Sequence, residues 1–478
     1  MLCFNFSVYK RFMLIQPLPC VTLFVETLNA SLRTIDPTAE LTRIQRVWLV
    51  TVLMGIIVTD MLCWAAFERR GLNRFTQSQL RWMFKSARLA WSHLLRCSVR
   101  IVLAHYGLHA GTLVLDETDK RRAKITKKIA GAHKIKDKKS GGYFNGQELV
   151  FLFLVTDTVS FPVDFRFYAP DPEVRAWKKR RKEQKQQAIP LAQRELRPAP
   201  NPTHPQKTDL AIEMLKSFAD AFPTFLIRGV LADALYGNAS FMDRAAAVTR
   251  QAQVVSELRA NQLVQSGGKN IALKRYFARQ SGVETQLKIR GQQEKPVVML
   301  AARLPIKSHG KRRFVVALRY QGETDYRFLV ATNLSWRHKD IAQLYTLRWL
   351  IEVFFEDWKA HGGWNKLTKH QGVEGSTRGV ILSLLCDHML LLHPEQSARL
   401  KSKQPGLPVG CVTERLKVDA LISTVADIVH ADDPVAVLDS FTKSLREALP
   451  LRPSKKHMAG LHLGRQDATN SLRYRAAA

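Results

Sequence analysis

The sequence predicts an α/β protein in which a helical N-terminal region precedes a core of strands and helices. Apolar residues recur at intervals of three and four between residues 38 and about 110, which is typical of amphipathic helices. From Gly111 onward, short apolar runs bounded by turn residues indicate strands. A helix that is apolar around most of its circumference follows from about residue 339 to 360, and such a helix is buried.

The first half of the core is predicted to contain several strands and one helix. GTLVLDETD, which begins at Gly111, is a short buried strand, and the runs 148–156 and 161–168 are two strands joined by a turn. Residues 208–222 are predicted to form a helix, and residues 225–232 form a further buried strand. Strands thus surround a helix, as expected for an α/β core.

The second half begins with strands and ends with helices. Between about residues 253 and 333 the pattern is mostly strands and turns, with basic residues interleaved. The helix at 339–360 and a second helix at about 377–392 come next. Residues 396–478 are predicted to form a turn-rich helical region with a basic, weakly apolar tail.

Composition favours a nucleic-acid partner. The 478 residues include 73 basic and 41 acidic side chains, a formal net charge of +32. A hydrophobic content of 46% excludes a wholly disordered basic tail protein. So large a positive charge indicates a polyanionic partner, and nucleic acid is favoured over a membrane surface.

Three classes of protein are excluded by motifs that the sequence lacks. The six cysteines form no CxxC pair, which excludes zinc-finger spacing and the disulfide framework of a small secreted domain. No GxxxxGK[ST] run occurs, so nothing indicates nucleotide hydrolysis.

One segment, residues 47–67, is long enough to span a bilayer. It contains Asp60, and an acid inside a membrane helix costs roughly 2.5–3.5 kcal/mol. A buried helix of a helical domain is therefore the favoured interpretation, and no membrane partner is expected.

Two basic segments are candidate phosphate contacts. Residues 120–139 carry ten lysines and arginines, which begin with Lys120, Arg121 and Arg122. Residues 173–207 carry ten basic side chains and five prolines, a composition that predicts a mobile surface loop. We expect both segments to bind DNA phosphates without sequence preference.

Three acids are the candidate catalytic and metal-binding residues. Asp116 and Asp233 each follow a predicted apolar strand, and Glu352 lies on the predicted helix 339–360. Carboxylates fixed at the edge of a sheet bind hard divalent cations. Two such ions, Mg²⁺ or its substitute Mn²⁺, can activate a water or a 3′-hydroxyl and stabilise the leaving oxygen of a phosphodiester.

Rival acids lie near two of these positions. Glu117 and Asp119 compete with Asp116, and the end of the predicted strand favours Asp116. Glu356 is one turn beyond Glu352 on the same face of the helix.

The helix at 339–360 also carries a narrow polar stripe. At about 100° per residue, Tyr345, Arg348, Glu352 and Lys359 share a stripe roughly 60° wide. One interpretation is a buried ion network with a structural role. The favoured interpretation is a phosphate-binding stripe around a metal ligand, because the tyrosine, arginine and lysine all donate hydrogen bonds to phosphate.

The segment YTLRWLIEVFFEDWK, residues 345–359, resembles the C-terminal signature of bacterial insertion-sequence transposases of the DDE type, the insertion-sequence-4 (IS-4) family. LVLDET around Asp116 and LADALYG around Asp233 resemble the first and second acidic motifs of that family and occur in the same order. The resemblance covers roughly residues 110–392 at the level of organisation.

The resemblance implies an RNase-H-like catalytic core interrupted by a β-rich insertion before the glutamate helix. It also implies Mg²⁺-dependent cut-and-paste transposition through a hairpin at the transposon end, with Asp116, Asp233 and Glu352 as the catalytic acids. The implied partners are the terminal inverted repeats of the transposon and target DNA, bound by a homodimer in a synaptic complex. The implied location is the cytoplasm, in association with the nucleoid.

The predicted division of the chain has six parts. They are an N-terminal extension (1–37), a helical DNA-binding domain (38–110), the first part of the core (111–252), the β-rich insertion with a core strand (253–338), the glutamate helix and the helix after it (339–395), and a C-terminal helical region with a basic tail (396–478).

Two further functions are alternatives. A domesticated or inactive RNase-H-like DNA-binding protein, or a nuclease, would retain the same acids. A tyrosine recombinase has only the fragment His462, Arg465 and Tyr474 in its favour, and no buried helix is predicted to hold those residues.

Overall fold

The computed structural model describes residues 17–71, 75–122, 129–137, 140–289, 294–363 and 372–449. Twelve strands in these residues form one mixed sheet. The strands are β1 (Ala110–Arg121), β2 (His133–Lys136), β3 (Tyr143–Val155), β4 (Ser160–Tyr168), β5 (Leu226–Ala232), β6 (Gln253–Leu258), β7 (Leu263–Ser266), β8 (Lys269–Ala272), β9 (Val283–Lys288), β10 (Glu294–Ile306), β11 (Lys311–Tyr320) and β12 (Arg327–Ala331).

Helices of the described residues pack with the strands in two core layers. They are α1 (Pro19–Ile35), α2 (Arg43–Thr59), α3 (Trp64–Arg70), α4 (Gln77–Ser86), α5 (Trp91–His105), α6 (Pro172–Gln186), α7 (Lys207–Ala221), α8 (Ala239–Val248), α9 (Leu273–Phe277), α10 (His338–Thr346), α11 (Trp349–His361), α12 (Gly372–Leu391), α13 (Pro394–Lys401), α14 (Val409–Val429) and α15 (Pro434–Ala448). The protein is therefore a mixed α/β structure, as the sequence predicts.

Strand β1 lies between β3 and β5 in the part of the sheet that carries the candidate acids. It runs antiparallel to β3, which in turn runs antiparallel to β4. On its other side β1 runs parallel to β5, and β5 runs parallel to β6. The apolar runs that predict these strands are buried because helices lie on both faces of a sheet with parallel pairs.

The two faces of the central strands contact different helices. Val114 and Phe151 pack with Phe354 and Trp358 of α11. Leu115 packs on the opposite face with residues of α7 and α8. Successive residues of a strand point to opposite faces, so one apolar run supplies both layers of the core.

The strands between Asp233 and α10 do not form a separate sheet. β12 pairs with β6, β11 with β12, and β10 with β11, all antiparallel. The region predicted as a β-rich insertion therefore continues the same sheet outward from β6.

The segment predicted as a buried helix, residues 47–67, is two helices with a bend. α2 and α3 meet at 90°. Asp60 has a left-handed backbone conformation at the end of α2, with φ of 49°. Leu49, Leu53 and Ile56 of α2 are buried in the helical region. Within the described residues no single helix has the length and apolarity to cross a membrane, although two bent pairs, α2 with α3 and α12 with α13, meet that criterion by composition.

The predicted N-terminal extension contains a structured helix. α1 begins at Pro19, which occupies the first turn, where a missing N–H group costs nothing. Its side chains at positions 21, 24, 25, 28 and 32 are buried, which is one apolar stripe at helical spacing. This stripe packs against α2 and α5.

The prediction of a mobile loop over residues 173–207 is wrong for its first half. Asp171 caps α6 by accepting a hydrogen bond from the backbone of Glu173, and Pro172 occupies the first turn. The chain then returns along this helix, where Trp177 donates to the Glu195 carbonyl and Arg180 pairs with the Glu195 carboxylate at 2.7 Å. No residue of α6 is buried, so composition alone does not reveal the helix.

The single helix predicted at 339–360 is two helices, α10 and α11. Around Leu347 and Arg348 the backbone hydrogen bonds join residues three apart instead of four. The Arg348 N–H donates to the Tyr345 carbonyl, and the Ile351 N–H donates to the Arg348 carbonyl. A tighter 3₁₀ turn of this kind shifts the direction of the following side chains. The polar stripe therefore spans a helix junction.

Candidate active site

Asp116 and Asp233 lie side by side where β5 ends. The parallel register pairs Leu115 with Ala232, and each aspartate is the residue that follows in its own chain segment. β5 ends at Ala232, as predicted, whereas β1 continues to Arg121. The expectation that Asp116 ends a strand is therefore wrong. The strand that ends beside Asp116 is β5, the parallel neighbour of β1.

The turn after β5 is fixed tightly. The Asp233 side chain accepts a hydrogen bond from the Leu235 backbone at 2.8 Å, and Ser256 donates to the Asp233 carbonyl at 2.6 Å. A Cβ atom on Gly237 would collide with the Glu257 carbonyl, so only glycine allows this close approach to β6.

Asp116, Glu117 and Asp233 form the acidic group at this edge. One carboxylate oxygen from each lies within 4.8 Å of the others. Glu117, a rival of Asp116 in the sequence, thus joins the candidate acids, whereas Asp119 is exposed farther along β1.

Burial raises the pKa of Asp116 to about 7. The Arg348 guanidinium opposes this shift, while the nearby carboxylates of Glu352 and Asp233 add to it. Desolvation is the largest of these effects, because a buried carboxyl group loses the water that stabilises its charged form.

Glu117 is fixed by two neighbours. Tyr236 donates to its carboxylate at 2.8 Å, and Lys207 Nζ lies 3.4 Å from its second oxygen. Lys207 also lies 2.5 Å from Glu148. Although burial lowers the pKa of Lys207, the two glutamates raise it above its usual value, so the ammonium stays charged.

Arg348 connects the glutamate helix to the strand aspartates. Its guanidinium donates to Asp116 at 2.5 Å and lies 3.9 Å from the Glu352 carboxylate. Glu352 is 43% exposed and stands in the first turn of α11. Among the described residues, the structure therefore brings Asp116 and Asp233 together, whereas Glu352 lies outside their group and is linked to Asp116 through the arginine.

Tyr345 and Lys359 take different positions around this region. The Tyr345 hydroxyl donates to the Ala232 carbonyl at 3.3 Å, which fixes the end of β5. Lys359 Nζ lies 5.8 Å from the Phe355 ring centre, two turns along α11 from Glu352. Glu356, the rival of Glu352, is exposed.

The three basic residues at the end of β1 differ in exposure. Lys120 is only 7% exposed, and burial lowers its pKa to about 7. Arg122 donates to Gln147 at 2.6 and 2.9 Å. Arg121 pairs with Asp137 and lies over the Phe144 ring, yet its side chain is 67% exposed. Of the three, Arg121 is exposed, Arg122 is half-buried and Lys120 is buried.

The donor set suits a hard divalent cation. All three clustered ligands are carboxylates, as Mg²⁺ and Mn²⁺ prefer, and no thiol or imidazole joins the cluster. The Glu352 carboxylate is close enough to Asp116 to raise the pKa of that residue by charge repulsion. The residues present therefore fit a divalent metal site.

Sequence reasoning did not identify Lys207 and Tyr236 as parts of the site. Lys207 is the first residue of α7, and it lies within a segment whose composition suggests only a basic loop. Tyr236 stands in LADALYG, three residues after Asp233, and this proximity is the one signal that could have indicated it.

The model of one protein family, described as DDE superfamily endonuclease, matches residues 45–321. The match includes Asp116 and Asp233 and ends before α11, so Glu352 lies outside it. No curated protein matches the chain. Since the matched residues make up more than half of the sequence and contain the two aspartates that meet beside β5, the chain belongs to the DDE superfamily endonucleases, a family of metal-dependent nucleases and transposases.

Proposed function

We propose that this protein is a cut-and-paste DNA transposase of the IS-4 type. Its substrates are the terminal inverted repeats of an insertion sequence, and its catalytic acids are Asp116, Asp233 and Glu352. The observation that carries the proposal is the contact of Arg348 with both Asp116 and Glu352, because it joins the signature of α11 to the two aspartates of the sheet.

The core is proposed to be RNase-H-like. Support comes from three antiparallel strands, β4, β3 and β1, that continue into the parallel strands β5 and β6, with the first aspartate on the central strand. The strands β7 to β12 are the proposed insertion between the second aspartate and the glutamate helix.

A bound pair of Mg²⁺ ions would activate the attacking water or 3′-hydroxyl and stabilise the leaving oxygen. Asp116 and Asp233 would hold the ions from the sheet, and Glu352 from α11. Arg348 would then exchange its carboxylate partner for a phosphate oxygen beside the scissile bond, since a guanidinium forks to either anion. Lys359, two turns beyond Glu352 on α11, would contact the same DNA strand.

Tyr345 and Tyr236 would position other parts of the active site rather than bind DNA. Tyr345 holds the end of β5 through the Ala232 carbonyl, and Tyr236 orients Glu117. The basic surface of α6 and the exposed Arg121 would contact flanking phosphates. Lys120 and Arg122 would need to leave their present surroundings to do the same. The proposed protein acts on the nucleoid as a homodimer that holds two ends.

The experiment that tests the proposal is cleavage of a radiolabelled transposon-end duplex by the full chain with Mg²⁺. Asp116→Asn, Asp233→Asn and Glu352→Gln should each reduce cleavage by at least ~10³-fold while DNA affinity stays within a few-fold, because a lost metal ligand removes the chemistry and leaves the binding surface.

Glu356→Gln and Glu117→Gln are the matched comparisons. Cleavage by the Glu356 variant should equal that of the unmodified chain. If Glu352→Gln cleaves normally while Glu117→Gln is inactive, the third acid is Glu117 and the assignment to α11 is wrong. Hydrolysis of ends without any strand transfer to target DNA would favour the alternative, a nuclease that retains this fold.

A further inference from the structure

Helix α4 presents to solvent a face that combines basic residues with a tryptophan. Four exposed residues recur at helical spacing and form a stripe about 100° wide, namely Ser78, Arg81, Trp82 and Lys85. The Trp82 side chain is 60% exposed. The segment QSQLRWMFKS of α4 contains no acidic residue, so the stripe is positively charged. We call these four residues the α4 outer face.

The opposite side of α4 is already packed. Leu80 and Phe84 are at most 4% exposed. The Phe84 ring lies 5.1 Å from that of Trp64 and 5.7 Å from that of Trp91. The outer face is therefore not needed to attach α4 to its own chain. Tryptophan is enriched at binding surfaces because its ring offers a large apolar contact.

Both ends of α4 are held by hydrogen bonds. A capping box begins at Thr76 and closes the first turn. Arg378 of α12 donates to two carbonyls in the last turn of α4, at 2.9 and 2.8 Å. Also on α12, Ser376 accepts a hydrogen bond from Gln147 of β3 at 3.2 Å. The outer face is thus fixed in relation to the sheet that carries the candidate acids, which suits a surface that positions a ligand.

Basic residues elsewhere in the N-terminal helices face acids. Arg46 of α2 pairs with Glu26 of α1 at 2.8 Å. Arg96 of α5 lines a cleft together with Glu213 and Asp220 of α7. In contrast, α4 supplies two basic residues and no acid to its own exposed side. A surface of this charge favours a polyanion as its ligand.

The dimensions and chemistry of the outer face fit a DNA duplex. The ten residues of α4 span about 15 Å, and the major groove of B-DNA, about 12 Å wide, admits one helix. In that groove an arginine can donate two hydrogen bonds to guanine, and an apolar ring can contact the methyl group of thymine. A lysine at the edge of the contact can bind a phosphate.

We propose that the α4 outer face reads DNA sequence in the major groove, with Arg81 and Trp82 at base edges and Lys85 at a phosphate. α4 lies within residues 38–110, for which the sequence predicts a DNA-binding domain without indicating the contacting surface. That the selected DNA is the transposon end rests on the proposed function, whereas sequence-selective binding through α4 does not. Base contacts of this kind give a choice of sequence to a chain whose charge of +32 binds any phosphate backbone.

The test is selection by the full chain from a library of DNA duplexes with a randomised centre, without divalent metal, so that no cleavage occurs. The unmodified chain should enrich one sequence. Fluorescence anisotropy then compares the affinities for the enriched duplex and a scrambled one. Arg81→Ala and Trp82→Ala should each reduce that ratio by about tenfold, because one base contact supplies discrimination of this order. Trp82→Ala should leave the affinity for the scrambled duplex nearly constant.

Arg446→Ala is the matched control, since Arg446 is exposed on α15. It should discriminate like the unmodified chain, and circular dichroism checks that each variant is folded. A chain that enriches no sequence, or α4 variants that keep the full ratio, would overturn the proposal. Sequence selection by a chain that cannot cleave the selected duplex with Mg²⁺ would contradict the proposed function alone.

Discussion

Arg348 donates to Asp116 and lies 3.9 Å from Glu352, so one guanidinium compensates negative charge on both carboxylates. Glu117 is compensated by another cation, because the Lys207 ammonium lies 3.4 Å from its carboxylate. Two cations of the protein, Arg348 and Lys207, therefore compensate the negative charge of different acids in the candidate active site.

Arg348→Ala should bind Mn²⁺ more tightly than the unmodified chain, by about tenfold or more, because a unit charge near 4 Å is worth roughly 1–4 kcal/mol at effective dielectric constants of 80 to 20. The same variant should lose end cleavage or hairpin formation, since the scissile strand is no longer held in line. Isothermal titration with Mn²⁺ and a hairpin assay measure the two effects.

Arg337→Ala is the control for that prediction. Arg337 precedes α10, is 83% exposed, and pairs with Asp340 at 2.8 Å on the surface. Its removal should change neither measurement. Normal hairpin yield from Arg348→Ala would show that the arginine belongs to an ion network with a structural role.

Among the helices, α6 presents the clearest basic surface. Arg175, Lys178, Lys182 and Lys185 are exposed, and their spacing places them on one side of the helix. The first two also line a cleft of about 560 Å³ with Lys207, whose ammonium reaches Glu117. The helix thus borders the candidate active site through α7.

Replacing these four residues of α6 by glutamine should weaken DNA binding similarly for all sequences. The slope of log affinity against log salt concentration should fall in magnitude by about 3–4, because each phosphate contact contributes close to 0.9. Fluorescence anisotropy across a salt series measures it.

The matched change, Lys401→Gln with Lys403→Gln, alters exposed basic residues at the end of α13 and should leave the slope nearly constant. An unaltered slope in the α6 variant would show that its lysines and arginines are only solvated.

Helices and strands can be predicted from this sequence where their buried residues form a regular apolar pattern. β3 and β5 are predicted within a few residues because their apolar runs are continuous. Asp233 follows the predicted end of β5, whereas Asp116 lies within β1, which continues beyond its apolar run to Arg121. α6 is missed because none of its residues is buried, and its capping pair Asp171–Pro172 was the remaining signal. The break between α10 and α11 depends on hydrogen bonds that helical periodicity does not reveal.

At the scale of the whole molecule, distant segments meet at a buried histidine. His388 of α12 donates from Nε2 to the Pro162 carbonyl of β4 at 2.8 Å, and its Nδ1 faces the Ser98 hydroxyl of α5 at 2.8 Å. Burial lowers the pKa of His388 to about 4. The N-terminal helices, the sheet and α12 are thus joined through a neutral imidazole.

This histidine should make the protein less stable in mild acid. The pKa is depressed in the folded state, so the stabilisation is complete above the unfolded value of ~6.5 and is lost as the pH falls toward 4. Between pH 7 and pH 5 the free energy of unfolding should fall by about 2 kcal/mol from this group alone. Urea denaturation at the two pH values measures the change.

His388→Gln keeps an amide donor and a carbonyl acceptor and should lack that component of the pH dependence. His430→Gln is the control, because His430 is exposed at the end of α14 and should behave like the unmodified chain. An identical pH dependence in all three proteins would contradict the prediction.

The pairing of β12 with β6 has a consequence for anyone who wishes to shorten this protein. A deletion that removed residues 259–331 would take away the antiparallel neighbour of β6 and leave one side of that strand with open backbone donors and acceptors. Exposed edges of that kind recruit other strands and aggregate. A minimal version of the enzyme therefore has to retain β12, or replace it with another strand, even if the rest of the outer region is dispensable.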